Sequence, residues 1–233
     1  MTTLTDHTAI VTGAGRGFGR AVATELSAAG AHVIGVARSG ADVSADVADP
    51  ATAARLIDEH RPDLLVLCAG AAPAMIPLQE HTWESFSRNW NVDVAQAFHW
   101  VGHALRRPLS PGATVVVFSS GAALKGSPLS GGYAGAKATV RTITDYAAIE
   151  AQRAGLGIRF VSVLPALTPA TELGAAAVAA YAERAGVEVD VFVKGMQPAL
   201  TTEQVGAAVR EIATGADDGH SAYALTAAGL SPL

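Results

Sequence analysis

Tyr133 and Lys137 stand four residues apart, which places both side chains on one face of a helix, one turn from each other. A phenol ordinarily loses its proton near pH ~10, too high for acid–base chemistry at neutrality. A neighbouring ammonium favours the phenolate and lowers that value. Such a pair can deliver a proton to a carbonyl oxygen or take one from an alcohol. Ser119-Ser120 close an apolar run upstream, and Ser120 lies 13 residues before the tyrosine. Nearer the N-terminus, Thr12-Gly13-Ala14-Gly15-Arg16-Gly17-Phe18-Gly19 sits between a short apolar run and a helical pattern. Glycines there let the backbone turn tightly and approach a ligand. The helix start that follows offers free N–H groups and a positive dipole end to a pyrophosphate.

The elements that must hold these residues alternate along the chain. Apolar runs at Thr8–Val11, His32–Val36, Leu64–Cys68, Thr114–Phe118, Ile158–Leu164 and Ala222–Thr226 read as strands. Helical patterns cover Phe18–Ala29, Thr82–Arg107, Tyr133–Ala154 and Thr201–Thr214, the last with Thr201 and Gln204 spaced as a capping box. The clearest strands are continuously apolar, as strands covered by helices on both faces are. The pattern predicts a parallel sheet in a doubly wound α/β domain spanning 1–233.

Composition narrows the function classes. The chain has 233 residues, 50% of them hydrophobic and 16% charged, which excludes intrinsic disorder. Its net charge of −5 gives no general attraction for nucleic acid or anionic membrane. One cysteine, Cys68, cannot form an internal disulfide or a cysteine-based zinc site, and the histidines show no metal-ligand spacing. The short polar stretch Met1–His7 lacks the pattern of a secretory signal, and glycines and prolines interrupt the longest uncharged stretches. A cytoplasmic protein acting on a small molecule, with no metal, is the expectation.

Taken together, these motifs resemble the short-chain dehydrogenase/reductase family in its classical branch. The family's Thr-Gly-x-x-x-Gly-x-Gly matches Thr12, Gly13, Gly17 and Gly19, and its Tyr-x-x-x-Lys matches Tyr133 and Lys137. Its serine matches Ser120, and its helix asparagine matches Asn91. The resemblance implies a Rossmann fold and hydride transfer between NAD(P) and a carbonyl or alcohol. It also implies Ser120, Tyr133, Lys137 and Asn91 as the catalytic set, with Asn91 holding a water that links Lys137 to solvent. Gly13, Arg16, Gly17, Phe18 and Gly19 are the candidate pyrophosphate contacts. Asp46 and Val47 are implied beside the adenine, Ala69 and Gly70 beside its ribose, and Pro165 and Thr168 near the nicotinamide. Tyr133 and Lys137 are implied to bind the nicotinamide ribose as well.

Several residues depart from the family pattern. Leu67-Cys68 stands where asparagines are usual, and Pro165-Ala166 where Pro-Gly is usual. The segment Arg38–Asp46 is too short for the helix ordinarily found between the second and third strands. At the end of the second strand, Gly35-Val36-Ala37-Arg38 lacks the acid that would bind the ribose 2′-hydroxyl of NAD. Arg38 and Arg16 can instead pair with a 2′-phosphate, so NADPH is expected over NADH. A lid is expected at about 165–200, with Leu167, Leu173, Val178, Tyr181, Phe192 and Met196 suited to an apolar substrate, or simply with Ala175–Ala185 as a helix packed on the body. Small residues at Gly121, Ala122, Ala123, Gly131 and Gly132 suggest a roomy pocket. The leading function is an NADPH-dependent carbonyl reductase, or the reverse alcohol dehydrogenase. The alternatives are a non-catalytic NADP-binding sensor or scaffold, and an imine reductase or isomerase on the same frame. Apolar residues around the Thr82–Arg107 and Tyr133–Ala154 helices predict a homo-oligomer, a tetramer first and a dimer second.

Overall fold

The computed structural model describes residues 3–233; Met1 and Thr2, the start of the stretch read above for a signal, lie outside the described residues. Eight strands form one sheet: β1 (Thr8–Thr12), β2 (His32–Ala37), β3 (Val43–Ser44), β4 (Leu64–Leu67), β5 (Thr114–Phe118), β6 (Arg159–Pro165), β7 (Ala222–Thr226) and β8 (Gly229–Pro232). Their spatial order is β3-β2-β1-β4-β5-β6-β7-β8, parallel throughout except for the last pair. The order changes direction between β1 and β4, which opens a crevice at the carboxyl ends of those strands. Strands β4 and β5 are buried along their whole length, which is why they are continuously apolar.

Helices cover both faces. On one face lie α1 (Gly17–Ala28) and, near the C-terminus, Thr202–Thr214, whose Val22, Leu26, Val205 and Val209 share a core with Val11, Val66 and Val163. On the other lie α2 (Pro50–His60), the helical run from Trp83 to Arg106, and Gly131–Arg153, which enclose Ile10, Leu65, Val115, Trp100 and Phe160. The doubly wound reading therefore holds. Helix α2 was not foreseen, although Asp49 caps it by accepting from the Ala51 N–H and Pro50 opens it. Strands β3 and β8 were not foreseen either, both being short and lying at the two edges of the sheet. As expected, no helix separates β2 from β3.

The long helix expected over Thr82–Arg107 is not uniform. It runs as α3 (Trp83–Asn89), a π-helical turn over Trp90–Val94, and α4 (Ala95–Arg106). A π turn holds one more residue than an α turn, so side chains beyond it face a different direction from those an unbroken helix would present. After α5 (Ala122–Lys125) comes α6 (Gly131–Arg153), which meets α3 backbone to backbone: a methyl added at Gly132 would lie 2.1 Å from the Phe86 carbonyl oxygen. Gly132 is thus a packing residue and opens no pocket, contrary to expectation. Between β6 and the last helix lie α7 (Glu172–Ala185) and α8 (Val189–Lys194), and Thr202–Thr214 is α9, opened by the expected Thr201–Gln204 capping box. Among the described residues, no helix is long and apolar enough to cross a membrane.

Candidate active site

The residues singled out from sequence gather at the carboxyl ends of the parallel strands. The glycine turn follows β1, Arg38 follows β2, Asp46 and Val47 follow β3, Ala69 and Gly70 follow β4, and Ser119-Ser120 follow β5. Gly13 has φ +72°, and a methyl added there would come within 2.9 Å of the Ala69 backbone. A methyl at Gly19 would lie 2.3 Å from the Gly13 carbonyl oxygen, so this glycine lets α1 start immediately under the turn. The start of α1 has no side-chain cap and no acid in its first turn, whereas α2, α3, α7 and α9 are all capped by side chains. Its free N–H groups and positive dipole end suit the pyrophosphate of a dinucleotide.

The bracing of this crevice comes from the motif's Thr12 and from Gln96, which the sequence pattern does not single out. The Thr12 hydroxyl accepts from the Cys68 N–H at 3.0 Å and the Ala69 N–H at 3.2 Å, and donates to Gln96 Oε1 at 2.6 Å. Gln96 in turn donates to the Ala69 carbonyl at 2.9 Å. These bonds tie β1, the end of β4 and α4 together where the usual asparagines are missing. Cys68 is half-buried, and burial of its sulfur pushes the thiol up to about 12, so it stays protonated at neutral pH.

The two arginines differ. Arg38 is exposed, and no carboxylate pairs with it among the described residues. Arg16 is exposed too, but is held 2.6 Å from Glu172 on the first turn of α7. Asp42, the acid nearest the end of β2, accepts from the Gly35 N–H at 2.8 Å and so serves the strand's backbone. Asp46 is exposed and turns back to accept from the Ala48 N–H, while Val47 is buried and its carbonyl accepts from Trp100 Nε1.

The two serines part company as well. Ser119 is buried and donates to the Lys137 carbonyl at 2.8 Å, fastening β5 to α6. Ser120 is half-buried, and its oxygen accepts only a 3.2 Å bond from the Ala122 N–H, which leaves its proton available. Tyr133 is half-buried on the first turns of α6, with the Lys137 ammonium 5.7 Å from its ring centre. Lys137 is buried and donates to the Phe118 carbonyl at 2.9 Å. Its Nζ also lies 3.4 Å from Asp93 Oδ2, and both side chains are almost wholly withdrawn from solvent. Burial pushes the ammonium's pKa down, but the Asp93 carboxylate together with Tyr133 and Cys68 more than offsets it, and the lysine is held above its ordinary value.

Asn91 does not take the place expected of it. It is exposed, and no hydrogen bond joins it to Lys137. Asp93, two residues on and within the π turn, is the buried side chain that meets Lys137 instead. Asn89, one turn earlier, is buried and donates to Asp93 Oδ2 at 3.3 Å and to the Ala71 carbonyl at 2.7 Å. Asp93 and Asn89 stand four apart, and a lone acid in an otherwise apolar helix stripe was the available signal.

The segment beyond β6 also differs in detail. Thr168 is buried, donates to the Leu200 carbonyl and accepts from the Ala170 N–H, so it pins the two ends of the 165–200 segment together. Pro165 offers its carbonyl to the Gly121 N–H at 3.0 Å. The threonine nearest the glycine turn is Thr171, the cap of α7: a methyl added at Gly17 would meet its Cγ2 at 3.6 Å. Of the apolar residues expected there, Val178 is buried against the body, and Tyr181 shares a hydroxyl cluster with Ser127 and Ser130.

Residues 13–214 match a family model described as enoyl-(acyl carrier protein) reductase. The L-xylulose reductase of Bos taurus is 32% identical over 183 residues, 71% of this chain and 74% of that one. Other curated relatives are matched over less of their length, down to about half. Among solved structures, NAD+-bound xylitol dehydrogenase superposes with a TM-score of 0.79 at 20% identity, over 92% of this chain and 94% of that one. A short-chain dehydrogenase from Burkholderia cenocepacia J2315 in complex with NADP superposes with a TM-score of 0.76 at 25% identity, over 91% and 92%.

Proposed function

This chain belongs to the short-chain dehydrogenase/reductase family, and from that premise we propose that it is an NADPH-dependent carbonyl reductase, able to run in reverse as an alcohol dehydrogenase. The observation that carries the reading is the Tyr133 phenol beside the buried Lys137 ammonium, on the helix that follows Ser120 at the crevice edge. The nicotinamide, when bound, supplies the hydride or accepts it. Ser120 donates its free hydroxyl proton to the substrate oxygen and fixes its position. Tyr133 gives its proton to that oxygen as negative charge develops there, and takes it back in the reverse direction. Lys137 sets a positive charge beside the Tyr133 ring and, as the resemblance implies, is the residue assigned to the nicotinamide ribose.

Residues fitted to the dinucleotide are Gly13, Gly17, Phe18 and Gly19 with the uncapped start of α1 for the pyrophosphate, and Ala69 and Gly70 for the adenine ribose. Asp46 and Val47 stand for the adenine. Arg38 is the main contact for a 2′-phosphate, and Arg16 contributes once it leaves Glu172. Pro165 and Thr168 are assigned to the nicotinamide end, with Thr168 also holding the loop that carries them. The segment at about 165–200 acts as lid over a single 1–233 domain, and the substrate is a small apolar carbonyl compound or alcohol.

We assign the working form to a cytoplasmic homotetramer, with a dimer second. Trp83, Phe98, Tyr146 and Ile149 are 60–77% exposed along α3, α4 and α6, an apolar stripe that a second copy would cover. The test is NADPH consumption with a panel of ketones, aldehydes and imines, run with the parent protein and with Tyr133→Phe. The expected result is turnover of a carbonyl compound that the variant loses while it still binds NADPH. Imine turnover alone, or parent-like turnover by the variant, refutes the assignment.

A further inference from the structure

The amino ends of β4 and β5, opposite the crevice, carry a concentration of positive charge that the proposed reaction does not use. Arg61 stands just before β4, and Arg106, Arg107 and Pro108 lead from the end of α4 toward β5. Together they line an open surface pocket of about 320 Å³, with no carboxylate in its lining among the described residues. Arg61 and Arg106 pair with no carboxylate among the described residues, and Arg107 Nε stands 4.0 Å from Asp58. Asp58 is already engaged: its Oδ1 meets His103 Nε2 at 3.0 Å, and its backbone carbonyl accepts from Arg61 Nε at 3.4 Å. Glu59, the next acid on α2, lies 3.5 Å from Arg55. One shared acid against three guanidiniums leaves the patch positive, in a chain whose net charge is −5.

Offsetting the negative end of a helix dipole accounts for a cation such as Arg106 in the last turn of α4. It does not account for Arg61. That residue closes α2 with φ +45°, the left-handed conformation in which a side chain is strained and glycine is the default. Helix α7 is closed in the same conformation by Gly186. A helix end that needed only closing would carry glycine, so the Arg61 side chain has a use that outweighs the strain. A guanidinium presents a planar fork of donors that takes the oxygens of a phosphate two at a time. Three forks around one pocket call for an anion with several oxygens and more than one charge. We propose that this pocket binds a phosphate-type dianion, either the free ion or the terminal phosphate of a small metabolite. Since the pocket lies at the far end of the strands from the crevice, it can be filled together with the dinucleotide, and the bound anion ties the end of α2 to the end of α4. The site rests on no part of the function proposed above.

The test is calorimetric titration and thermal unfolding of the whole chain with inorganic phosphate, pyrophosphate and glucose 6-phosphate. The proteins are the parent, Arg61→Gly, and Arg106→Gln combined with Arg107→Gln. The expected result is saturable binding that raises the melting temperature of the parent. Arg61→Gly should bind about tenfold more weakly, the effect of one lost charge-assisted contact. Its melting temperature without anion should be no lower than the parent's, because glycine relieves the strained closure. The double variant should lose the binding. Glucose 6-phosphate binding as tightly as inorganic phosphate assigns the pocket to a terminal phosphate; binding of the inorganic ions alone assigns it to the free ion. General salt stabilisation acts on parent and variants alike, and binding at the start of α1 survives all three substitutions, so only the part lost in the variants reports the pocket. An anion effect that is equal in the parent and both variants, or absent from the parent, overturns the proposal. The titrations need neither substrate nor cofactor, so a parent without carbonyl reductase activity would defeat the proposed function and leave this result untouched.

Discussion

Replacing Arg38 by aspartate isolates the charge that the structure leaves free at the end of β2. Among the described residues Arg38 is exposed and unpaired, whereas Arg16 is already engaged by Glu172 at 2.6 Å. A charge-assisted hydrogen bond is worth about 1.5–3 kcal/mol, which is roughly a ten- to hundredfold change in affinity. Arg38→Asp removes that bond and adds repulsion, so NADPH affinity should fall by at least that factor. NADH, which has no 2′-phosphate, should bind as well or better, because the new carboxylate can accept from its ribose hydroxyl. Arg16→Ala should cost less, since the phosphate has first to displace Glu172. For the same reason Glu172→Gln should tighten NADPH binding. Dissociation constants for both cofactors, measured by nicotinamide fluorescence at two salt concentrations, check the reasoning. The NADPH advantage should shrink as salt screens exposed charges. Equal constants for the two cofactors in the unmodified protein would refute it, as would an unchanged ratio in Arg38→Asp.

Further predictions concern packing, pH and assembly. Gly132→Ala forces a methyl against the Phe86 carbonyl and should cost about 1–3 kcal/mol or more, several degrees in Tm. Gly131→Ala, whose methyl would meet only the Phe86 ring edge at 3.6 Å, should be close to neutral, and equal melting temperatures for the two would contradict the packing argument. The Tyr223 hydroxyl donates to Asp218 and holds that carboxylate below its ordinary range. Such a contribution is present above the ordinary carboxylate pKa and is lost as pH falls through the lowered one. Tyr223→Phe should therefore lower Tm at neutral pH and by less in acid, and a pH-independent loss would point to packing alone. Light scattering after size-exclusion chromatography should give a multiple of 23.6 kDa that Phe98→Glu with Ile149→Glu reduces; a monomer in the parent would remove the assigned interface.

The strand–helix alternation was legible because continuous apolar runs such as Leu64–Leu67 and Thr114–Phe118 have no other soluble explanation than burial on both faces. The capping box at Thr201 and the glycine turn after β1 were legible for a similar reason: each is a local chemical requirement written in adjacent residues. What the sequence hid was set by contacts between distant segments. Gly131 and Gly132 look alike in sequence, yet one meets a ring edge and the other a backbone carbonyl. Thr168 and Thr171 are equally plausible beside a cofactor until Leu200 claims the first hydroxyl and α7 is capped by the second.

The misplaced helix residue has another origin. Asn91 is singled out by its resemblance to the family's helix asparagine, whereas at about 3.6 residues per turn it falls on the face opposite Asn89. The inward polar positions are Asn89, Asp93 and Gln96. Each of the three is buried and each is satisfied by backbone groups at the end of β4. Their i, i+4, i+7 spacing is one face of a helix, so the polar stripe faces Ala69–Ala71 and Lys137 along its length. That spacing lets a charged residue stand behind Lys137, and the irregular hydrogen bonding of the π turn is offset by the buried polar network around it.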